Sequence, residues 1–208
     1  MPRDRFATRA AILDNAAAII ASQGLPALGV NSLAHAANCD KVLIYRYFGG
    51  LDGVLAALGP ERMLWPRIES AANEDDGDAA LADAVYTLLL EEWAALSSSP
   101  LILEASAAEL ASQPNSLGAA SSMQRAELHE RLISKLREEH RIPPYVDLPA
   151  LVELLSAALT LLALRAAHAT RQADTDSPQS FDSHTPQGWR RIEKVLETIT
   201  RALLAVNS

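Results

Sequence analysis

The chain has 208 residues, 49% of them hydrophobic and 5% aromatic, with a mean hydropathy near zero, enough apolar material for one or two folded domains and too much for a disordered chain. Alanine and leucine dominate over runs of valine, isoleucine or threonine, so strands have little support and an all-α fold is expected. A net charge of −8 argues against a uniformly basic nucleic-acid-binding chain, the lone Cys39 excludes an internal disulfide, and without a charged-then-apolar leader the cytoplasm is the expected compartment.

Residues 1–9 form a polar arm in which Arg3 and Arg5 precede the first helix; a solvated terminus and an arm that reaches phosphates are both compatible with it. Residues 6–22 predict a helix with Ile12, Ala16, Ile19 and Ile20 on one face and Gly24 placed to end it. Residues 30–55, VNSLAHAANCDKVLIYRYFGGLDGVL, hold two short helical patterns either side of Asn38-Cys39-Asp40. In the first, Val30, Leu33, Ala34 and Ala37 recur at helical spacing, and the small alanines allow a second helix to cross closely. Asn38 tolerates a left-handed backbone and Asp40 can cap the next helix, expected over residues 41–48. Ile44 and Phe48 then point inward, leaving Lys41, Val42, Leu43, Tyr45, Arg46 and Tyr47 to face outward, a surface suited to a DNA major groove. A plain helical hairpin also buries Ala and Ile and caps its turn, so the local pattern alone leaves both readings open.

Gly49-Gly50 starts a helix over residues 51–58, which Gly59-Pro60 should break or bend, and a domain boundary is placed there: 1–58 and 59–208. Residues 1–50 carry Arg3, Arg5, Arg9, Lys41 and Arg46 against Asp4, Asp14 and Asp40, a net +2 that leaves −10 for the rest. A mildly basic head on an acidic body can bind DNA through the head alone.

In the body, residues 61–72 predict a helix with Met63, Trp65 and Ile68, kinked at Pro66, followed by an acidic loop over 73–78. Residues 78–96 carry two apolar stripes, Leu81-Val85-Leu88 and Ala82-Tyr86-Leu89-Trp93-Leu96, and are covered on more than one side. Helices are expected over 101–112 and 117–140, and Glu91-Glu92 and Glu138-Glu139 read as solvated faces. Residues 148–164 carry one charge, Glu153; at 17 residues with Ser156 and Thr160 inside, a buried helix is a better reading than a membrane span. After a polar loop over 172–187, Thr185 caps a last helix with Pro186 at its first position. Along it Trp189, Ile192, Leu196, Ile199, Leu203 and Val206 are spaced 3, 4, 3, 4, 3, a heptad seam that wants a partner helix. The seam can pack within its own subunit, but next to residues 148–164 there is more apolar surface than one small domain needs. Pairing of both helices with a second copy gives a four-helix interface with Leu155, Leu159, Leu162, Trp189, Ile192, Leu196, Ile199 and Leu203.

No catalytic constellation is present. His35, His129, His140, His168 and His184 lack metal-ligand spacing, and there is no phosphate-binding glycine loop or nucleophile elbow, so neither an enzyme nor a metal or cofactor is expected.

Residues 9–58 resemble the amino-terminal domain of the TetR family of bacterial transcriptional regulators. The resemblance is carried by Ile12-Leu13, Ala16-Ala17, Gly24, Leu33-Ala34, Ala37-Asn38-Cys39, Tyr45-Arg46-Tyr47-Phe48 and Leu55, and more loosely by Thr185-Pro186-Gln187-Gly188-Trp189. The chain departs from many relatives at Gly29, Val42, Leu43 and Leu51, where Thr, Gly, Thr and Lys are common, which removes two phosphate-type contacts and leaves Val42 and Leu43 to meet thymine methyls. The resemblance implies an amino-terminal three-helix helix-turn-helix domain followed by a larger ligand-binding and dimerisation domain. It also implies a homodimer on a palindromic operator, usually a repressor, released by a mainly apolar small molecule. Met63, Trp65, Tyr86, Leu89, Trp93 and Glu104 are the expected effector residues, Ser106 standing beside Glu104 as a further polar group. The alternative is a dimeric helical binding or scaffold protein that no longer reads DNA.

Overall fold

The computed structural model describes residues 5–62, 65, 80–111, 116–140, 142–171 and 185–204. Among them the order is α1 (Arg5–Gln23), a 3-10 turn (Leu25–Ala27), α2 (Val30–Ala36), α3 (Lys41–Phe48), α4 (Leu51–Arg62), α5 (Ala80–Ser98), α6 (Pro100–Glu109), α7 (Ser116–Glu139), α8 (Leu148–Arg171) and α9 (Pro186–Leu204), with no strand among the described residues. The all-α expectation holds. Of the expected helix over 61–72, residues 63, 64 and 66–72, with the Pro66 kink, lie outside the described residues, as do the acidic loop and most of the polar loop before α9.

The chain divides into two compact units, Met1–Trp65 with Ser98–Arg125, and Pro66–Ser97 with Ala126–Ser208. In the first, α1 supplies Ile12, Leu13, Ala16, Ile19 and Ile20 to a core shared with Leu33 of α2, Ile44 of α3 and Val54, Leu55 and Leu58 of α4. α6 packs on the same helix, burying Ile102 and Ala105. Gly24, at φ 83°, ends α1, its amide donating to the Ile20 carbonyl at 2.9 Å.

Of the break or bend expected at Gly59-Pro60, the break does not occur, and α4 runs on to Arg62 with Pro60 inside it. Pro60 removes one helical hydrogen bond, but side-chain contacts hold the following turn. Arg62 Nε donates to Asp14 at 2.8 Å and its NH2 to the Ala10 carbonyl at 2.9 Å, while Glu61 pairs with Arg9. Gly59 is buried because a Cβ there would lie 2.6 Å from Ala120 Cβ of α7, and its carbonyl, left free by the helix end, accepts from Gln124 Nε2 at 2.5 Å.

The second unit is a helical core of Leu81, Val85, Leu88 and Leu89 from α5, Leu132, Ile133 and Leu136 from α7, Leu148, Val152, Leu155 and Leu159 from α8, and Ile192, Leu196 and Leu204 from α9. α8 is long and apolar enough by composition to cross a membrane, and one of its faces is closed inside this core. Thr185 caps α9 as expected, its Oγ1 accepting from the Gly188 amide at 3.0 Å.

Candidate nucleic-acid interface

The turn between α2 and α3 is built as its residues dictate. Asn38 takes φ 47°, and Asp40 accepts a hydrogen bond from the Val42 amide at 2.9 Å, so α3 starts at a fixed point. Gly49, left-handed at φ 78°, closes α3 with its amide bonded to the Tyr45 carbonyl at 2.8 Å. Ile44 is fully buried and fixes the helix's rotation. Lys41, Val42, Tyr45 and Arg46 are exposed in consequence, Val42 and Tyr45 more than half so. Leu43 and Tyr47 are half-buried, and the Tyr47 ring lies within cation–π reach of Arg46 at 5.5 Å and of Arg5 at 5.8 Å. Arg5 is thus part of α1, whereas Arg3 lies outside the described residues.

The residues expected to bind an effector do not share one unit. Met63 lies outside the described residues. In the first unit, Trp65 is buried with its indole donating to Ser121 Oγ at 3.0 Å, and Glu104 accepts from the Leu25 amide at 3.4 Å. In the second, Leu89 is core, and Tyr86 and Trp93 engage α9: Trp93 stacks on Trp189 with ring centroids 4.2 Å apart, and Tyr86 bonds to Glu193. Burial, then the Glu193 and Glu197 carboxylates, push the Tyr86 phenol above its ordinary value.

Glu91-Glu92 is not a solvated face. Burial pushes the Glu91 carboxyl up, and Glu92 is 2% exposed on α5. The Glu92 carboxylate meets His129 Nε2 of α7 with one oxygen and accepts from Ser156 Oγ of α8 at 2.5 Å with the other. Ser156 Oγ lies 3.4 Å from the same ring nitrogen, and the distal Nδ1 is 3.7 Å from the exposed Glu153. Because Glu92 occupies the nitrogen that a nucleophilic serine would need, the cluster lacks the arrangement of a hydrolytic triad. The sequence carried a signal for it: Glu92 continues the stripe Leu81-Val85-Leu88 on the inward face.

The expected dimer residues are placed differently from the seam reading. Ile192, Leu196, Leu155 and Leu159 are closed inside their own unit, with Leu162, Trp189 and Ile199 packed against them, and Leu203 is 37% exposed. A seven-residue repeat drifts on a straight helix of 3.6 residues per turn, so Thr200 and Leu204 turn inward where the repeat would have Ile199 and Leu203. The outward apolar residues of α8 and α9 are Leu154, Leu161, Val195 and Leu203.

The family model described as bacterial regulatory proteins, tetR family, matches residues 12–58. No curated protein matches the sequence. Solved structures of the same fold include the fatty acid degradation regulator FadR from Bacillus halodurans, at TM-score 0.62 and 17% identity over 96% of this chain and 95% of that one. E. coli NemR in its reduced form aligns at TM-score 0.63 and 15% identity over 97% and 99%, and a TetR-family transcriptional regulator from Haemophilus influenzae at 0.59 and 16% over 94% and 97%. With its capped turn, its buried Ile44 and its outward α3 face inside the matched residues, the amino-terminal part of the chain, residues 12–58, is a helix-turn-helix domain that matches the tetR family model.

Proposed function

We propose that this regulator is a homodimeric, ligand-responsive repressor that places α3 of each subunit in the major groove of a palindromic operator. The observation that carries this is the outward set Lys41, Val42, Tyr45 and Arg46 on a helix whose start is fixed by Asp40 and whose rotation is fixed by Ile44. Lys41 and Arg46 supply phosphate contacts, and Val42 supplies apolar contact with a thymine methyl. The DNA-binding part is assigned to 1–58 and the effector and dimer functions to 59–208. A gel shift at stepped salt with DNA from around the chain's own gene tests the reading: a sequence-specific complex that weakens as salt rises is expected, and no complex at low salt would favour the scaffold alternative.

The dimer is assigned to the exposed apolar residues Leu154 and Leu161 of α8 and Val195 and Leu203 of α9, because large apolar side chains this exposed on two helices of one unit call for a cover. A second copy supplies the same patch across a two-fold axis.

The effector is assigned to the second unit, beside Leu89, Trp93 and the Glu92–His129–Ser156 cluster. A buried carboxylate in an apolar core is costly unless it is satisfied, and an effector with a mainly apolar body and one hydrogen-bonding group can exchange with the cluster's own bonds. An effector that favours the DNA-incompetent state by about 2 to 3 kcal/mol loosens the operator roughly 30- to 150-fold. The stacked pair Trp93–Trp189 gives the readout. A compound that changes tryptophan fluorescence and releases DNA should lose both effects in folded Trp93→Ala and Glu92→Gln variants; retention of both would move the site.

A further inference from the structure

The recognition helix ends in carbonyls that its own backbone leaves free, and one of them is held by a side chain from α1. Arg9 NH1 donates to the Tyr47 carbonyl at 3.0 Å, and its guanidinium carbon lies 4.3 Å from the centroid of the Phe48 ring. A cation at the C-terminal end of a helix complements its dipole, so Arg9 both caps α3 and presses on its last inward residue. The other edge of the same guanidinium is taken by Glu61 in the last turn of α4: Nε donates to Oε2 at 3.3 Å and NH2 pairs with Oε1. That turn is itself held by Gly59, whose carbonyl accepts from Gln124 of α7.

Both members of the Arg9–Glu61 pair are about a third exposed, at 31% and 36%. A pair this open to water adds little to stability. What it does is geometric: five guanidinium donors in one plane fix the distance and angle between the end of α3 and the end of α4. We propose that Arg9 is a positioning residue for operator reading, and that Glu61 acts through it to set where α3 sits. The inference rests on the DNA-binding reading above. It adds that a displacement of the last turn of α4 reaches the end of the recognition helix through this side chain, beside the direct packing of α4 on α3.

The competing role for an arginine near a DNA-binding face is direct phosphate contact, and the two make opposite predictions for Glu61. The test is fluorescence anisotropy on an operator selected from a random DNA pool, at several salt concentrations, with Arg9→Met, Glu61→Gln, the double variant and Arg62→Gln. Positioning predicts that Glu61→Gln weakens binding by about 10-fold even though it removes a negative charge from the DNA-binding unit, and that Arg9→Met weakens it at least as much. The double variant should be no weaker than Arg9→Met alone, because the two act as one device. Arg62→Gln breaks an ion pair on the same turn of α4 but touches nothing in α3, and should bind like the wild type. The salt slope should be unchanged throughout.

Tighter binding in Glu61→Gln, or a slope lowered by about 0.9 in Arg9→Met, would show a phosphate contact and overturn the proposal. An equal loss in Arg62→Gln would reduce the effect to stability and overturn it as well. If Arg9→Met does not fold, Glu61→Gln against Arg62→Gln decides alone. A wild-type chain that selects no DNA would overturn the regulator reading itself, whereas a wild type that binds and variants that bind equally would overturn only this inference.

Discussion

The Glu92 carboxylate meets the imidazole of His129 inside an apolar core, both side chains less than a tenth exposed. With Ser156 on its second oxygen, Glu92 has its bonds made, and Glu92 is also the nearest partner of His129. Replacing one partner therefore costs more than replacing both. Glu92→Leu should lower stability by about 3 to 5 kcal/mol, because the buried imidazole loses its carboxylate partner and keeps only the longer approaches of Ser156 and Glu153, whereas Glu92→Leu with His129→Leu should recover most of that loss. Urea unfolding of the three proteins measures it; a double variant as unstable as the single would show that packing sets the cost.

A charge on the outward face should separate subunits without unfolding them. Val195 is 54% exposed and Leu196 4%, neighbours in sequence on α9 of which one is open to solvent and the other buried. Val195→Glu or Leu161→Glu should give a folded monomer with weaker operator binding, since two linked heads gain from effective concentration. Leu196→Glu should instead unfold the second unit, at a cost of several kcal/mol for a buried unpaired charge. Sedimentation with circular dichroism distinguishes the two, and an unchanged dimer in the folded Val195→Glu protein would place the interface elsewhere.

Gly59 tests the packing of the first unit. Adding a methyl group 2.6 Å from Ala120 Cβ forces α4 and α7 apart, so Gly59→Ala should cost about 1 to 3 kcal/mol despite the better helix propensity of alanine. A variant as stable as the wild type by thermal unfolding would mean that the helices shift freely there.

At the DNA face, Val42→Ser should change which base is preferred at one half-site position, because it removes the apolar contact while leaving the helix start intact. Tyr47→Phe should weaken all sequences alike through loss of a phosphate-type bond. Selection experiments on each variant separate the two effects, and an unaltered preference in Val42→Ser would exclude apolar readout at that position.

The helix-turn-helix was legible in the sequence because its determinants are local: Asn38, Asp40, Ile44 and Gly49 act within a few residues of themselves. Elements that depend on distant partners were not. Gly59-Pro60 reads as a break or a bend, yet α4 continues, because Arg62 and Glu61 find Asp14 and Arg9 about fifty positions away in sequence. The heptad of α9 located an apolar face correctly but not what covers it, since the neighbouring α5 and α8 residues that do so lie far along the chain. Glu92 was misread by residue type, although its register on the Leu81-Val85-Leu88 stripe already put it inside. The role of Arg9 leaves no mark in sequence at all, because its acceptor at Tyr47 is a backbone carbonyl.

The most direct measurement is selection of bound sequences from a random DNA pool by the full chain, followed by footprinting of the winner. The account predicts an inverted repeat whose half-sites lie about one helical turn or slightly more apart, each containing A·T pairs, protected together and lost together in Val195→Glu. Recovery of no enriched sequence, or of a single site with no repeat, would contradict a dimeric regulator that reads DNA through α3.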